Sequence, residues 1–112
     1  MKKIKNMAAQ GDVMFIRVNK IPNDLEPSKE KNGKFIVAHS ETGHDHVIDS
    51  KNAQMLIDKT NNLIAYIKVS KPTKVEHQRS FDTHESILLD EGNYQIRRQR
   101  EYMPEGFRRV AD

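Results

Sequence analysis

Five histidines occur in this chain of 112 residues, and three of them, His39, His44 and His46, lie close together. Neutral imidazole nitrogens are good ligands for divalent transition metals such as zinc, nickel, iron and manganese. Residues two apart in a β-strand project from the same face. A strand that begins at His44 would therefore direct His44 and His46 to the side of Ile48. This spacing predicts a metal site, provided that the histidines lie in strands.

The remaining histidines can add to this site or stand apart from it. His39 has the same strand parity as Phe35 and Val37, so we expect its imidazole to face inward beside the other two. His84 begins a later strand and can complete the set as a further ligand. We interpret His77 as a surface residue. The alternative is that the histidines serve only as packing or hydrogen-bonding groups.

The C-terminal end carries a second pattern that could bind a ligand. Between residues 97 and 109 there are five arginines and only two acids. Arginine pairs with phosphates and stacks on bases, and aromatic rings add stacking platforms. The candidate nucleic-acid-binding residues of this alternative are Arg97, Arg98, Arg100 and Tyr102. We favour the interpretation in which they are solvated side chains, because no recognised RNA-binding signature is present.

Short apolar runs separated by turn residues are typical of strands, and they must position these groups. The first predicted strands span 13–18, 34–39 and 44–49. Two hairpins follow, one joining 54–58 to 63–69 and one joining 84–89 to 94–98, although residues 51–57 could instead form a short helix. About seven short strands predict an all-β fold. We expect a small single-domain barrel or sandwich, for which a jelly-roll-like arrangement is one version.

The predicted organisation has three parts: a flexible N-terminus over 1–10, a β domain over 11–100 and a C-terminal arm over 101–112. The arm shows no alternation of apolar and polar residues, yet it contains Tyr102, Met103, Phe107 and Val110. A small domain gains stability by burying such side chains on its own body or on a partner's sheet edge. We therefore expect a homo-oligomer that forms through the C-terminal arm.

Composition excludes several classes of function. The net charge of +3 comes from interspersed charges, which is too small an excess to imply nucleic acid by itself. The absence of cysteine excludes thiolate metal sites and disulfides. No apolar run approaches the length of a membrane span, so we expect a soluble cytoplasmic protein with no membrane partner. No glycine-rich phosphate loop or nucleophile elbow is present, so no reaction is named.

Two resemblances appear at these residues. The stretch from Gly33 to His39, followed by His44 and His46, is similar to the metal-binding half-motif of cupins, which implies a histidine-lined jelly roll. It departs from that motif at Gln95, where the second cupin motif would carry a histidine.

The second resemblance is broader and covers most of the chain from Gln10 onward. The motifs Gly43-His44-x-His46 and Gln99-Arg100-Glu101-Tyr102-x-Pro104 resemble a family of small uncharacterised proteins from bacterial and phage genomes. This resemblance implies one domain and carries no activity.

Overall fold

The computed structural model describes residues 2–4, 6–10, 13–38, 45–77 and 87–98. Within them the chain forms strands, one short 3-10 helix over Ser50–Asn52, and no α-helix. The strands are β1 (Lys2–Ile4), β2 (Met7–Gln10), β3 (Val13–Val18), β4 (Glu26–Pro27), β5 (Lys34–Ala38), β6 (His46–Asp49), β7 (Ala53–Ile57), β8 (Ile64–Val69), β9 (Thr73–His77), β10 (Ile87–Leu89) and β11 (Gly92–Arg98). The all-β prediction is confirmed. In the described part of the chain, no helix is long and apolar enough to cross a membrane.

The strands form two sheets that pack as a sandwich. One sheet has five strands in the order β1-β10-β9-β6-β5, and the other has six in the order β2-β3-β11-β8-β7-β4. The described strand pairs are antiparallel, except that β1 joins β10 in parallel. Neither sheet closes on itself, so the sandwich is the correct choice between the two predicted architectures.

The core lies between the sheets and follows the period-2 alternation of the strands. In β3, Val13 and Phe15 are buried, and the neighbouring β11 buries Tyr94 and Ile96 beside them. The opposite sheet contributes inward-facing side chains that include Phe35, Val37, Ile48, Val75 and Leu89. Burial of a large apolar side chain contributes roughly 1.5–3 kcal/mol, so this alternation holds the two sheets face to face.

Two predicted turns form as their residue types require. Asn32 and Gly33 both have positive φ, at 54° and 77°, and Lys31 and Lys34 exchange two backbone hydrogen bonds across them. This is the geometry of a tight two-residue hairpin turn. The predicted hairpin of β7 and β8 is also confirmed. The helical alternative for 51–57 is wrong beyond Asn52, because residues 53–57 pair with β8 as a strand.

The turn between β7 and β8 is held by an exposed carboxylate. Asp58 Oδ1 accepts hydrogen bonds from the Thr60 hydroxyl at 2.7 Å and from the Thr60 backbone N–H at 2.9 Å. These two bonds favour the ionised form and lower the pKa of Asp58 below its usual value. Local polar bonding of this kind is why Asp, Thr and Asn recur in turns.

The predicted last hairpin is wrong. Strand β10 pairs with β9 and β1 in the five-stranded sheet, whereas β11 pairs with β3 and β8 in the six-stranded sheet. The turn signal at residues 90–93 is real, but the chain uses it to cross from one sheet to the other. The physical reason is that β11 forms six register pairs with β3 and six with β8, so both of its edges are occupied and the turn serves as a corner.

Tyr94 locks this corner from inside the core. Its ring is fully buried, and its hydroxyl donates to the Asp90 carbonyl at 2.8 Å. Arg17 donates to the same hydroxyl at 3.2 Å and to the Glu91 carbonyl at 2.8 Å, with its guanidinium carbon 5.6 Å from the ring centre. A tyrosine hydroxyl that bonds back to the backbone a few residues upstream is a recurring corner device in β-sandwiches.

Gly92 is required at the same corner for two reasons. Its φ of +143° is a conformation that other residues rarely adopt. A Cβ placed there would also lie 2.6 Å from Arg17 Nη2. The Arg17 guanidinium can therefore approach the backbone at Gly92 this closely only because glycine has no Cβ.

Strands β1 and β2 lie within residues 1–10, where the sequence analysis expects a flexible segment. They form because β2 pairs with β3 and β1 pairs with β10. The boundaries of the three predicted parts stay a prediction, and the C-terminal arm over 101–112 lies outside the described residues.

We expect Tyr94→Phe to lower the free energy of unfolding by about 1–3 kcal/mol, because the Asp90 carbonyl and the Arg17 guanidinium lose a buried partner. Tyr66→Phe is the matched control, since the Tyr66 hydroxyl takes part in a hydrogen bond on an outer face. That control should change stability by no more than about 0.5 kcal/mol. Denaturant unfolding of both variants tests this, and equal losses would contradict the role of the corner.

Tyr94 should also make the fold sensitive to alkali. Burial raises its pKa above the ordinary value of 10.0, although the charge of Arg17 acts in the opposite direction. A raised pKa in the folded state means that the stabilisation is complete below pH 10 and is lost as pH rises toward the folded value. Unfolding free energies measured across this range should fall more steeply in the wild type than in Tyr94→Phe, and parallel curves would contradict the prediction.

Candidate functional site

The imidazole of His46 is buried in the sandwich. It is the first residue of β6, which lies between β5 and β9 in the five-stranded sheet, and it is only 3% exposed. Its Cα register partners are Ala38 on one side and His77 on the other. Strand alternation places it on the same side as the fully buried Ile48. His46 therefore sits at the core side of a central strand.

A β-bulge in β5 adjoins His46. Ile36 pairs with Val47 and Ala38 pairs with His46, so β5 holds one residue more than its partner. Val37 and Ala38 are consequently both buried, at 0% and 5% exposure. The extra residue interrupts the alternation of inward and outward side chains along β5. The inward orientation of His39, which the sequence analysis expects from alternation counted from Phe35, therefore cannot be inferred across the bulge.

His39, His44 and His84 lie outside the described residues, and so do Arg100 and Tyr102. His77, which the sequence analysis treats as a surface residue, ends β9 directly opposite His46 in backbone register. The period-2 pattern of Thr73, Val75 and His77 is the sequence signal for this strand. The pairing of β9 with β6 depends on the sheet order, which the pattern does not contain.

Among the described residues, no group of three or more histidine, aspartate or glutamate side chains is arranged to hold a metal ion. The chain has no cysteine that could take the place of a missing ligand. A metal centre of three or more ligands at His46 would therefore require side chains from outside the described residues.

Arg98, a candidate for nucleic-acid binding, ties the two sheets together. Its Nε donates to the Val37 carbonyl at 2.7 Å, and its Nη1 donates to the Asn62 carbonyl at 2.8 Å. The side chain starts on β11 of the six-stranded sheet and reaches the bulge in the five-stranded sheet. A charged donor thus satisfies a carbonyl in the strand that the bulge disrupts.

Arg97 points to the opposite side of β11 and is exposed. Its Nε donates to Gln95 Oε1 at 2.6 Å, and Gln95 Nε2 donates to the Tyr66 hydroxyl at 3.0 Å. The structure therefore does not bring Arg97 and Arg98 onto one surface. The nucleic-acid hypothesis stays a prediction that rests on Arg97 and on Arg100 and Tyr102 beyond it.

A groove lined in part by charged side chains, which sequence reasoning missed, lies on the outer face of the five-stranded sheet. It has a volume of about 320 Å³, and its lining includes Lys34, Lys51, Asp49 and Glu76. Lys34 lies 3.6 Å from Glu76. Because its charges are of both signs and are partly paired, the groove favours neither a strong anion nor a cation.

We expect Arg98→Ala to lower the free energy of unfolding by about 1.5–3 kcal/mol, because two carbonyls lose a charged donor. Arg97→Ala is the matched control on the other face of the same strand, and it should stay within about 0.5 kcal/mol of the wild type. Denaturant unfolding measures both. Equal stability of the two variants would contradict a structural role for Arg98.

Comparison with known proteins places this sandwich in a family. No curated protein and no solved structure matches the chain significantly. Residues 9–99 match a domain of unknown function, DUF8820, a span that runs from β2 to the residue after β11. The match begins close to Gln10, where the sequence resemblance begins, but it ends at residue 99, so most of the motif from Gln99 to Pro104 lies beyond it. The chain belongs to the DUF8820 family of domains of unknown function.

Proposed function

We propose that this domain binds a divalent transition metal at a histidine site centred on His46. The further ligands in this proposal are His39, His44 and His84, and the candidate ions are zinc, nickel, iron and manganese. The observation that carries the proposal is the burial of His46 on a central strand, with Ala38 and His77 as its register partners.

Covalent geometry keeps two of the other histidines near His46. His39 follows Ala38 directly, consecutive Cα atoms are about 3.8 Å apart, and paired Cα atoms in a sheet are about 4.5–5.5 Å apart. The Cα atoms of His39 and His46 are therefore within about 10 Å of each other. His44 precedes His46 by two residues and is within about 7 Å. Imidazoles on backbone positions this close can share one ion.

His77 extends the set, because its backbone is the register partner of His46 in β9. His84 lies in the connection between β9 and β10, two strands that pair with each other in the same sheet. Three imidazoles from this group would leave a fourth position on a tetrahedral ion for water or an anion. Such an ion polarises a bound oxygen or activates water, and this is the chemistry that the site would supply.

The proposal is tested by metal content and metal affinity of protein purified without a histidine tag. We expect about one ion per chain by elemental analysis, and we expect His46→Gln to weaken binding by more than about tenfold in calorimetry, because even outer-shell partners of metal ligands contribute that much. The double variant His44→Ala with His46→Ala should abolish binding. Single variants of His39, His77 and His84 identify the remaining ligands.

Thr73→Val is the matched control, because Thr73 is a buried polar residue of β9 without an imidazole. It should retain the metal even if it changes stability. Circular dichroism of each metal-free variant establishes that it is folded. Unchanged affinity in the double variant would refute the site, and a wild-type protein that binds none of the four ions would leave the histidines as packing groups.

A further inference from the structure

The two outer faces of the sandwich differ in chemistry. The outer face of the five-stranded sheet carries four charged side chains, Lys34, Asp49, Lys74 and Glu76, and its register rows also hold Ile36, Val47 and Leu88. It is called the charged outer face below. The corresponding face of the six-stranded sheet is largely apolar and is called the apolar face below. Its apolar side chains include Met7, Met14, Ile16, Leu56, Ile64 and Tyr66.

These side chains lie next to one another across the strands. Ile16 pairs with Met7 on one side and with Gln95 on the other, and the same row continues to Tyr66 and Leu56. The apolar side chains are partly exposed, and Met7 is 59% exposed. A contiguous apolar patch on a small domain marks a surface that another segment or molecule covers.

The centre of the apolar face also carries polar groups suited to an interface. Arg97, Gln95 and Tyr66 form a hydrogen-bonded row, and the Arg97 side chain is exposed beside Met14 and Ile64 in the register. Arginine, tyrosine and methionine are enriched where protein surfaces meet. The exposed guanidinium favours an occupant that is apolar and contains acidic residues.

We infer that the chain's own C-terminal segment, residues 99–112, packs on the apolar face. Strand β11 ends at Arg98, immediately after Arg97 on that face, so the segment starts at the border of the patch. Fourteen further residues extend up to about 46 Å, whereas six strands at about 4.8 Å spacing span about 24 Å from the first strand to the last. The segment is therefore long enough to cross the whole face.

The composition of the segment complements the apolar face. It carries Tyr102, Met103, Phe107 and Val110, and Glu101 and Glu105 lie on either side of the first pair. Its three acids balance its three arginines, so the segment as a whole is not basic. The acids can pair with Arg97 while the apolar side chains cover the patch. This inference is independent of the proposed metal site, because His46 belongs to the other sheet.

The absence of cysteine makes a cross-linking test specific. The double variant Ile16→Cys with Phe107→Cys places one thiol on β3 within the apolar face and one in the segment. Treatment of the full chain with a short bismaleimide should give an intramolecular cross-link, identified by mass spectrometry of the peptides. Adding Tyr102→Ser and Met103→Ser should lower its yield about tenfold, because the tether is unchanged and only apolar contacts are lost.

Lys74→Cys with Phe107→Cys is the matched control, because Lys74 lies on the charged outer face. A cross-link of equal yield in the control, or one that the serine substitutions leave unchanged, would overturn the inference. Cross-links between chains, with a dimer in light scattering, would also overturn it and would assign the apolar face to the arm of a second copy.

Discussion

The corner between β10 and β11 is the constraint on which the rest of the sandwich depends. The chain must leave the five-stranded sheet at Leu89 and enter the six-stranded sheet at Gly92, and it does so within two intervening residues. The Tyr94 ring fills the core below this crossing, and its hydroxyl donates a hydrogen bond to the Asp90 carbonyl. Arg17 donates to the Tyr94 hydroxyl and to the Glu91 carbonyl. Because β11 lies between β3 and β8, an error at this corner would displace the centre of the six-stranded sheet.

A second connection between the sheets lies at the opposite end of β11. Arg98 reaches the Val37 carbonyl at the bulge of β5, so β11 is tied to the other sheet at both of its ends. The same bulge sets Ala38 opposite His46. The hydrogen bond from Arg98 to Val37 and the candidate site at His46 therefore both depend on the bulge in β5. Bulges often occur beside functional sites because they re-aim the neighbouring side chains.

The chemistry of the chain is divided among three surfaces of the sandwich. The buried side of the five-stranded sheet holds His46, its outer face holds mixed charges, and the outer face of the six-stranded sheet is apolar around Arg97. Arg97 and Arg98, adjacent in the sequence, belong to different surfaces because successive strand residues point to opposite sides. When basic residues are adjacent in a strand, only those on one side can contribute to an exposed binding surface. Counting Arg97 and Arg98 together from the sequence therefore overestimates the positive charge available to a ligand.

The sequence by itself determined the features that depend on neighbouring residues. The strand over Val13–Val18, the Asn32-Gly33 turn and the hairpin of β7 and β8 follow from short apolar runs and turn chemistry, which act over a few residues. Only the tertiary structure decided which strands pair at long range. It assigned β10 and β11 to different sheets, placed His77 opposite His46, and changed the strand parity before His39 through the bulge. The physical reason is that a turn signal specifies a change of direction, whereas the choice of partner strand depends on burial summed over both sheets.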